Sequence, residues 1–522
     1  MKIKKTILLV LVMFFVSATF AADVRGEIGN VKWLLRNNEM SIAGPTVSKD
    51  EVISISVPET IEGIPVTKIM GNAFIGCKNL VEVNLPDTIT TIYQQAFSGC
   101  RSLTEIELPK SLVTIGNEAF SGCSFSEIII PTSVKTIGTK AFYCDTLVEI
   151  KILDAKVDIG KSAFRCSKVI SLDLGQNVVS IGDSVFEYYP LESITIPNSV
   201  KSIGARIFYK AKKLKTINLS SNLESIGNSA FSGCEKLTSI IIPDSVKVLG
   251  KDIFKDCISL EEIKLSNSLK KLSSGTFENC NALKQLEIPD SVTVIESFCF
   301  KCSNLESVKL SNSIKSLENS LFAYCPRLEN IELPNSIKTI GNDVFRNTSI
   351  KSIVIPDSVI SLGMFIFGDC KQLEKVENHS SIKNIPKGTF CGCSNLKEIT
   401  IYKDVEYGDS CFFGARIKKV IIEDGVEVFD FGYLSNSFID SLILPESIKE
   451  IKGIFNLIIE SITINSIDFE ITEDCTLRTK NLYCYENALR NIHNQDSINY
   501  VTFLDTGKTI TLNVPMNMND FK

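Results

Sequence analysis

Apolar residues recur along this chain with a period of 22 or 23 residues. A fixed period of this length is typical of repeat architectures, in which each period builds one supersecondary unit. The period is clearest for phenylalanine, which returns at the same point of sixteen consecutive repeats: Phe74, Phe97, Phe120, Phe142, Phe164, Phe186, Phe208, Phe231, Phe254, Phe277, Phe300, Phe322, Phe345, Phe367, Phe390 and Phe412.

Each repeat contains two short apolar stretches with a turn between them. In Leu103–Leu108 apolar side chains alternate with two glutamates, and this alternation predicts a strand with one buried and one solvated face. Pro109 follows, and the Lys-Ser after it completes a turn. Leu112–Ile115 forms the second stretch, and Gly116 closes it. We interpret this glycine as a corner with positive φ, which glycine adopts at little cost.

A unit this short cannot enclose its own phenylalanine, isoleucine and leucine side chains, so they become buried only when the next unit stacks on it. We therefore predict a β-rich repeat solenoid of about 18 coils, with short strands on its concave face and a cap at each end. The predicted structural core includes two regular positions of the repeat: Phe97, Phe120, Phe231 and Phe254, and Cys100, Cys123, Cys234 and Cys257.

The cysteines follow the repeat rather than a disulfide pattern. Twelve of the 17 stand two or three residues after the repeating phenylalanine, and Tyr188 and then Ala211 take that place in the coils after Cys166. We interpret these cysteines as small buried thiols that pack along one corner, in preference to a metal or redox site. A disulfide between Cys475 and Cys484, outside the regular repeats, is a separate hypothesis. The twelve are Cys77, Cys100, Cys123, Cys144, Cys166, Cys234, Cys257, Cys280, Cys302, Cys325, Cys370 and Cys393.

The start of the chain has the layout of a secretory signal peptide. Three lysines precede the apolar run Ile7–Val16, and small residues follow it. The run is shorter than the roughly 20 residues that a membrane-spanning helix needs, so we predict no transmembrane span. The predicted organisation is a signal peptide at 1–21, an N-terminal β-rich cap at 22–66, a solenoid at 67–465 that becomes irregular from about 425, and a C-terminal cap at 466–522.

Three local features depart from the repeat. Trp33, the only tryptophan, is expected to pack in the N-terminal cap. The segment 482–501 predicts a helix followed by a strand in the C-terminal cap. Asn378 occupies a position that is apolar in almost every other coil, which predicts a bulge or bend between Val376 and Ile385.

The repeat resembles the leucine-rich repeats of the BspA-like family of surface proteins, whose units read approximately L-x-x-I-x-I-P-x-S-V-x-x-I-G-x-x-A-F-x-x-C. The match is clear in Leu237–Cys257, which reads LTSIIIPDSVKVLGKDIFKDC. The resemblance covers about three quarters of the chain and implies an exported surface protein with a role in adhesion to host proteins or to other cells. It identifies a scaffold and leaves the ligand open.

Composition and charge limit the classes of binding partner that the protein can have. The chain is 44% hydrophobic and 22% charged, as expected of an ordered soluble protein, and its formal net charge is −6. A nucleic-acid partner is disfavoured, because nucleic-acid binding relies on clustered Lys and Arg that neutralise phosphates.

Catalytic chemistry has few candidate residues. The two histidines, His379 and His493, lie in different regions, which argues against a histidine-based triad or a multi-histidine metal site. Cys391 and Cys393 near His379 could be a cysteine nucleophile with its base, but Cys393 already belongs to the repeating cysteines. No glycine-rich phosphate loop is present. We predict that the protein is not an enzyme and that it uses no cofactor and no metal.

The solvated side of the first strands offers a recognition surface. The position before the central apolar residue carries glutamate in four successive coils, and the position after it varies. Like charges stacked at strand spacing repel one another, so we hypothesise that this stripe contacts a basic partner or a divalent cation. A solvated acidic face without a ligand is the alternative. The candidate binding residues are Glu82, Glu105, Glu127 and Glu149, with Asn84, Glu107, Ile129 and Lys151.

These observations favour an exported or cell-surface protein that binds an extracellular protein, such as a matrix or host-cell protein, through many small contacts along the strand face. A structural envelope protein that associates mainly with itself is the alternative. Concentration-dependent assembly would favour self-association, and saturable binding by a monomer would favour adhesion.

Overall fold

The computed structural model describes residues 23–378, 382–453, 458–471, 479–484, 498–504 and 509–511. The predicted signal peptide, His379, His493 and Cys475 lie outside the described residues. Within them the chain folds as a β-solenoid of about 19 turns with almost no helix. It divides into two compact units, the N-terminal unit, Met1–Glu235, and the C-terminal unit, Lys236–Lys522.

The N-terminal unit consists of a short antiparallel meander followed by coils of two strands each. Its strands are β1 Val24–Ile28, β2 Val31–Arg36, β3 Glu39–Pro45, β4 Ser54–Ser56, β5 Thr60–Ile61, β6 Ile64–Ile69, β7 Glu82–Asn84, β8 Thr91–Ile92, β9 Thr114–Ile115, β10 Glu127–Ile130, β11 Thr136–Ile137, β12 Glu149–Ile152, β13 Asp158–Ile159, β14 Ser171–Asp173, β15 Ser180–Ile181, β16 Ser193–Thr195, β17 Ser202–Ile203, β18 Thr216–Asn218 and β19 Ser225–Ile226.

The meander β1-β2-β3 connects to the coils through a parallel pairing of β3 with β6. The second strands of successive coils then pair in parallel without register shifts, so that Ile92, Ile115 and Ile137 stack directly on one another in the core. Trp33 does pack in the meander, opposite Gly26, where a side chain would collide with the indole ring. Most coils therefore add the same pair of short strands to the core, and the coil with β9 adds only its second strand.

The glycine corner has a different cause from the one inferred from the sequence. Gly116 does not adopt a positive φ; a Cβ atom there would lie 2.5 Å from the backbone nitrogen of Gln94 in the preceding coil. The left-handed backbone falls two residues later, at Glu118, with a φ of 55°. The Glu118 N–H donates to the Thr139 carbonyl of the next coil at 2.8 Å. Close approach of coils excludes a side chain, and the inter-coil hydrogen bond supports the strained turn.

Phenylalanine rings form the centre of each unit. From Phe74 to Phe164 the rings are fully buried, with neighbouring centroids 5.2 to 5.5 Å apart and nearly parallel planes. From Phe254 to Phe412 the spacing is 5.1 to 5.8 Å. Phe97, Phe120, Phe231 and Phe254 all have 0% exposure. Stacked rings of this kind add packing energy to the burial of their area.

The buried cysteines bond to the phenylalanine backbone of the preceding coil. The Cys100 thiol lies 3.3 Å from the Phe74 carbonyl oxygen, and Cys123 lies at the same distance from Phe97. In two coils the residue at this buried position is not the one predicted from the sequence. Tyr189, not the exposed Tyr188, fills this position and donates its hydroxyl to the Phe164 carbonyl. The core-facing residue stands three residues after the ring in the coils of Phe97, Phe120 and Phe186, and two residues after it in the coils of Phe142 and Phe164. A hydroxyl or a thiol can make the same bond.

A second correction concerns the coil of Phe300. Cys302 has a left-handed backbone and is half-buried, whereas Ser303 is fully buried in the position that cysteine occupies elsewhere. The Ser303 hydroxyl lies 3.4 Å from the Cys325 thiol. Ser303 stands three residues after Phe300 and Cys302 two, so the three-residue spacing of most coils would have assigned the buried position to Ser303.

The C-terminal unit continues the two-strand coil, with longer strands toward its end. Its strands are β20 Ser239–Ile241, β21 Val248–Leu249, β22 Glu262–Lys264, β23 Lys271–Leu272, β24 Gln285–Glu287, β25 Val294–Ile295, β26 Ser307–Lys309, β27 Ser316–Leu317, β28 Thr339–Ile340, β29 Ser352–Ile355, β30 Ser361–Leu362, β31 Lys375–Asn378, β32 Asn384–Ile385, β33 Leu396–Ile401, β34 Glu406–Tyr407, β35 Arg416–Ile422, β36 Val428–Asp430, β37 Phe438–Leu444, β38 Glu450–Lys452, β39 Ile458–Ile464, β40 Glu470–Ile471, β41 Thr479–Cys484, β42 Ile498–Phe503 and β43 Thr509–Thr511, with a 3₁₀ helix at Phe431–Leu434.

The helix predicted from residue 482 is wrong at its start. Leu482 lies in β41, which pairs in parallel with β39 and β42, and the parallel order β33-β35-β37-β39-β41-β42 ends on the antiparallel β43. Leu482 and Cys484 are buried on one side of β41, and this alternation suits a strand. The predicted strand at the end of the segment corresponds to β42.

The predicted bend near Asn378 is not present in the strand itself. Strand β31 pairs with β29 over four residues without a register shift, including Ile355 opposite Asn378. Residues 379–381 lie outside the described residues. Ile382 and Ile385 return to the core on the other side of that gap.

Candidate protein-binding face

The first strands of the N-terminal unit present an outer face made of parallel rows of side chains. The central residue of most of these strands, such as Val83 or Ile128, is buried. The residues before and after it point outward, because successive side chains of a strand alternate between its two sides. Every predicted binding residue is exposed on these rows: Glu82, Glu105, Glu127, Glu149, Asn84, Glu107, Ile129 and Lys151.

The four glutamates of the acidic row, Glu82, Glu105, Glu127 and Glu149, are not stacked as one continuous ladder. Glu127 lies directly opposite Glu149, but the strand partner of Glu82 is Ser54, and Glu149 meets Ser171 on its other side. The like-charge contact that the sequence predicted for four residues therefore occurs in register between β10 and β12.

Glu105 and Glu107 lie in a segment without strand pairing, although the sequence predicts a strand there. In the following coil the Ser124 N–H donates to the Leu103 carbonyl at 3.0 Å. Phe125 is drawn into the core, with its ring 5.8 Å from that of Phe120. This local packing replaces the regular ladder and leaves the two glutamates on an irregular, solvated segment.

The row after the central residue mixes charge, amide and hydrocarbon. Asn84 donates its amide to Glu82 at 2.9 Å and so fixes that carboxylate on the face. Ile129 and Lys151 are register partners, and Asp173 follows Lys151. Ile129 is 44% exposed although it is a large apolar side chain.

A third row, which the sequence reasoning missed, contains two apolar pairs. Ile53 and Val81, and then Val148 and Ile170, stand immediately before the acidic-row position of their coils, and Ile53 and Ile170 are 63% and 66% exposed. Thr104 and Ser126 occupy this position in the two coils between the pairs. The Val81 N–H donates to the Ile53 carbonyl at 2.8 Å, and the Ile170 N–H to the Val148 carbonyl at 3.0 Å, so the members of each pair are neighbours across coils. The signal in the sequence was the choice of apolar residues at a position that is charged in later coils.

Later coils fill the same rows with ion pairs. At the position of Ile170 the next two coils carry Glu192 and Lys215, whose charged atoms lie 2.9 Å apart, and the bond from Lys215 lowers the pKa of Glu192. In the C-terminal unit this row contains Lys351 and Glu329 at 2.7 Å. Among the described residues, no ion pair is found for the four members of the acidic row. The N-terminal face thus combines uncompensated negative charge with exposed hydrocarbon.

The thiols of Cys391 and Cys411 are unsuited to nucleophilic catalysis. Burial raises the pKa of Cys391, and burial raises the pKa of Cys411 to about 12, whereas a catalytic cysteine needs a lowered pKa. No cluster of three or more His, Cys, Asp or Glu side chains able to hold a metal ion occurs in the described part of the chain. The same residues contain no helix with the length and apolar character that crossing a membrane requires.

The stacked two-strand coils, with their phenylalanine and cysteine positions, define a leucine-rich-repeat solenoid of the β-rich kind. The chain belongs to the family described as the BspA type leucine rich repeat region, which matches residues 67–190, 179–281, 224–348, 315–439 and 408–522. The resemblance seen in the sequence is confirmed. No curated protein matches this chain.

Solved structures that match this chain include proteins from several bacteria. A leucine-rich repeat protein from Bacteroides ovatus is 21% identical, with 94% of this chain and 98% of that chain covered and a TM-score of 0.40. A leucine rich cell surface protein from Faecalibacterium prausnitzii is 24% identical, with 69% and 96% covered and a TM-score of 0.37. The pneumococcal vaccine antigen PcpA is 18% identical, with 92% and 99% covered and a TM-score of 0.37.

Proposed function

We propose that this protein is secreted or displayed on the cell surface and that it binds another extracellular protein in the manner of an adhesin. The observation that carries the proposal is the outer face of the N-terminal unit, where the acidic row has no ion pairs among the described residues and lies beside the exposed apolar row. The resemblance to the BspA-like family of surface proteins, with membership of that repeat family, supports the location.

The chemistry of the face selects the partner. Its carboxylates attract a basic segment, and Ile53, Val81, Val148 and Ile170 offer hydrocarbon that a partner's apolar side chains would remove from water. A divalent cation suits the face less well, because no three acidic side chains converge in its described residues. The occupant we propose is a basic protein segment that also carries apolar side chains.

The test measures binding of the purified protein to immobilised matrix and plasma proteins and to whole host cells. The unchanged protein is compared with a variant in which Glu82, Glu105, Glu127 and Glu149 are changed to alanine. We expect saturable binding that the variant loses and that weakens as salt concentration rises, since exposed charges are screened. The control changes four exposed glutamates of the C-terminal unit in the same way, Glu261, Glu262, Glu332 and Glu446.

Three results would count against the proposal. Equal losses in both quadruple variants would show a general charge effect rather than a site. Binding that survives in the acidic-row variant would place the site elsewhere. Absence of saturable binding, together with concentration-dependent assembly in light scattering, would favour a self-associating structural protein.

A further inference from the structure

A cleft of about 590 Å³ opens in the N-terminal unit, away from the acidic row. The β2-β3 hairpin forms one side of it, and the corners of the coils that carry β8, β9 and β11 form the other. This volume lies within the range of roughly 300 to 1,000 Å³ that is typical of small-molecule sites. Its lining includes Arg36, Glu39, Tyr93, Thr114 and Asn117.

The cleft exists because the hairpin is longer than the strands of the coils. Asn37 and Asn38 turn the hairpin with left-handed φ values of 51° and 62°, which asparagine tolerates better than most residues. A register shift between Met40 and Ser41 follows, where β3 joins β6. The coil strands β8, β9 and β11 have only two residues each, so the hairpin stands beside short strands and encloses a concave space.

The charged groups at the rim neutralise one another. Lys68 forms an ion pair with Glu39, and the bond from Glu39 raises the pKa of Lys68. Arg36 is paired with Asp23, whose pKa the Arg36 guanidinium lowers. No large uncompensated charge is therefore left at the rim to attract an ionic ligand.

The remaining polar groups of the lining are hydroxyls and amides. Thr114 and Thr136 are register partners on neighbouring coils and present a row of hydroxyls. Gln94 adds an amide that can donate and accept hydrogen bonds, whereas the Asn117 side-chain oxygen already accepts the Thr139 N–H at 2.8 Å and its NH₂ group remains as a donor. Tyr93 contributes an aromatic ring that is 43% exposed, with its hydroxyl as a further polar group. The lining thus combines an exposed ring with neutral donors and acceptors.

We propose that this cleft binds a neutral carbohydrate, with the face of the sugar ring against Tyr93 and its hydroxyls on the threonine and amide groups. A sugar offers hydroxyls that donate and accept, an apolar ring face and no net charge, and the cleft is complementary in each respect. The site lies on the second-strand side of the coils and goes beyond the protein-binding role proposed for the acidic row.

The test uses the full protein and immobilised neutral oligosaccharides of glucose, galactose, mannose and N-acetylglucosamine, with heparin as the anionic comparison. We expect saturable binding to at least one neutral oligosaccharide. Tyr93→Ala and Thr114→Val should each raise the Kd at least about tenfold, through loss of the ring contact or of a hydroxyl. Thermal melting of both variants checks that the fold persists, and Thr114→Val keeps the side-chain shape if Tyr93→Ala does not fold.

Matched controls come from the C-terminal unit. Tyr402→Ala removes an equally exposed ring, and Thr339→Val removes a hydroxyl from the equivalent strand position. Both should leave sugar binding unchanged, as should the acidic-row variant, which separates this site from the protein-binding face. Binding to heparin alone, binding to none of the oligosaccharides, or unchanged binding by both cleft variants would overturn the proposal.

Discussion

At the residue scale, the buried cysteine that follows the phenylalanine in most coils makes two kinds of contact. Its sulfur fills a small space in the core, and its thiol bonds to the phenylalanine carbonyl of the preceding coil, as Cys280 does with Phe254 at 3.1 Å and Cys370 with Phe345 at 3.0 Å. Tyr189 makes the same bond with a hydroxyl. The position is therefore a packing position that usually also supplies a donor, although Ala211 fills it without one.

This environment should protect the thiols from alkylation. Burial raises the pKa of Cys100 to about 12, so almost none of it is thiolate near neutral pH, and the sulfur is inaccessible. Cys302 and Cys391 are half-buried. We expect brief iodoacetamide treatment at about pH 8 to label Cys302 and Cys391 and to spare Cys100 and Cys123. Peptide mass mapping measures the labelling.

The same treatment in guanidinium chloride is the control, because unfolding should make every thiol reactive. Equal labelling of Cys100 and Cys391 in the folded protein would contradict the buried position of the ladder. Prior reduction ensures that differences in labelling reflect accessibility.

At the element scale, neighbouring coils stack closely because the glycine at the corner lets their backbones come into contact. A side chain at Gly116 would lie 2.5 Å from the Gln94 nitrogen, so Gly116→Ala must displace backbone. We expect it to lower the free energy of unfolding by about 1 to 3 kcal/mol, as overpacking generally does. Gly71→Ala is the graded control, since its nearest atom would lie at 3.3 Å. Chemical denaturation compares the two, and a larger loss for Gly71→Ala would refute the crowding argument.

The phenylalanine stack gives the coils their local cooperativity. Phe120 is fully buried between Phe97 and Phe142, with ring centroids at 5.4 and 5.2 Å. Phe120→Ala should cost about 3 to 5 kcal/mol through lost burial and the cavity that remains. Because each coil contacts mainly its neighbours, hydrogen exchange should accelerate most in the coils of Phe97 and Phe142.

Distant coils provide the internal reference for that measurement. The amides around Phe208 should keep their protection in Phe120→Ala, apart from any uniform shift in global stability. Loss of protection of the same size in every coil would show that the unit unfolds as one block.

At the scale of the whole molecule, the repeat was predictable because one residue pattern governs every coil. The period and the phenylalanine core follow from burial alone, whereas the first strand predicted at Glu105 and Glu107 does not form. The glycine corner was misread because the contact at Gly116 is between coils, and such a contact leaves no trace within a single repeat. The paired rows of Glu192 and Lys215 likewise become visible only when coils are placed in register. The hairpin cleft combines segments as distant as Glu39 and Thr136, so no local pattern could reveal it.

The buried thiols also make the free energy of unfolding of the whole molecule fall at alkaline pH. Burial raises the pKa of Cys100 and of Cys166 to about 12, from an ordinary value of 9.0. A raised pKa means that the folded state holds the proton more tightly, so this contribution to stability is complete below about pH 9 and disappears as the pH rises toward 12. Each thiol that ionises only on unfolding removes about 1.4 kcal/mol per pH unit in that window.

Guanidinium unfolding of the reduced protein at several pH values between about 8 and 11 should therefore show stability falling with pH. The double variant Cys100→Ala/Cys166→Ala should be less stable than the unchanged protein at the lower end, because it has lost two packed side chains. It should also lose stability more slowly as the pH rises, because two ionising groups are missing, so the two curves should converge. Ionisation of lysine and tyrosine affects both proteins equally and cancels in the difference. Parallel curves would mean that these thiols ionise as readily in the folded protein as in the unfolded chain, which their burial against the Phe74 and Phe142 carbonyls does not allow.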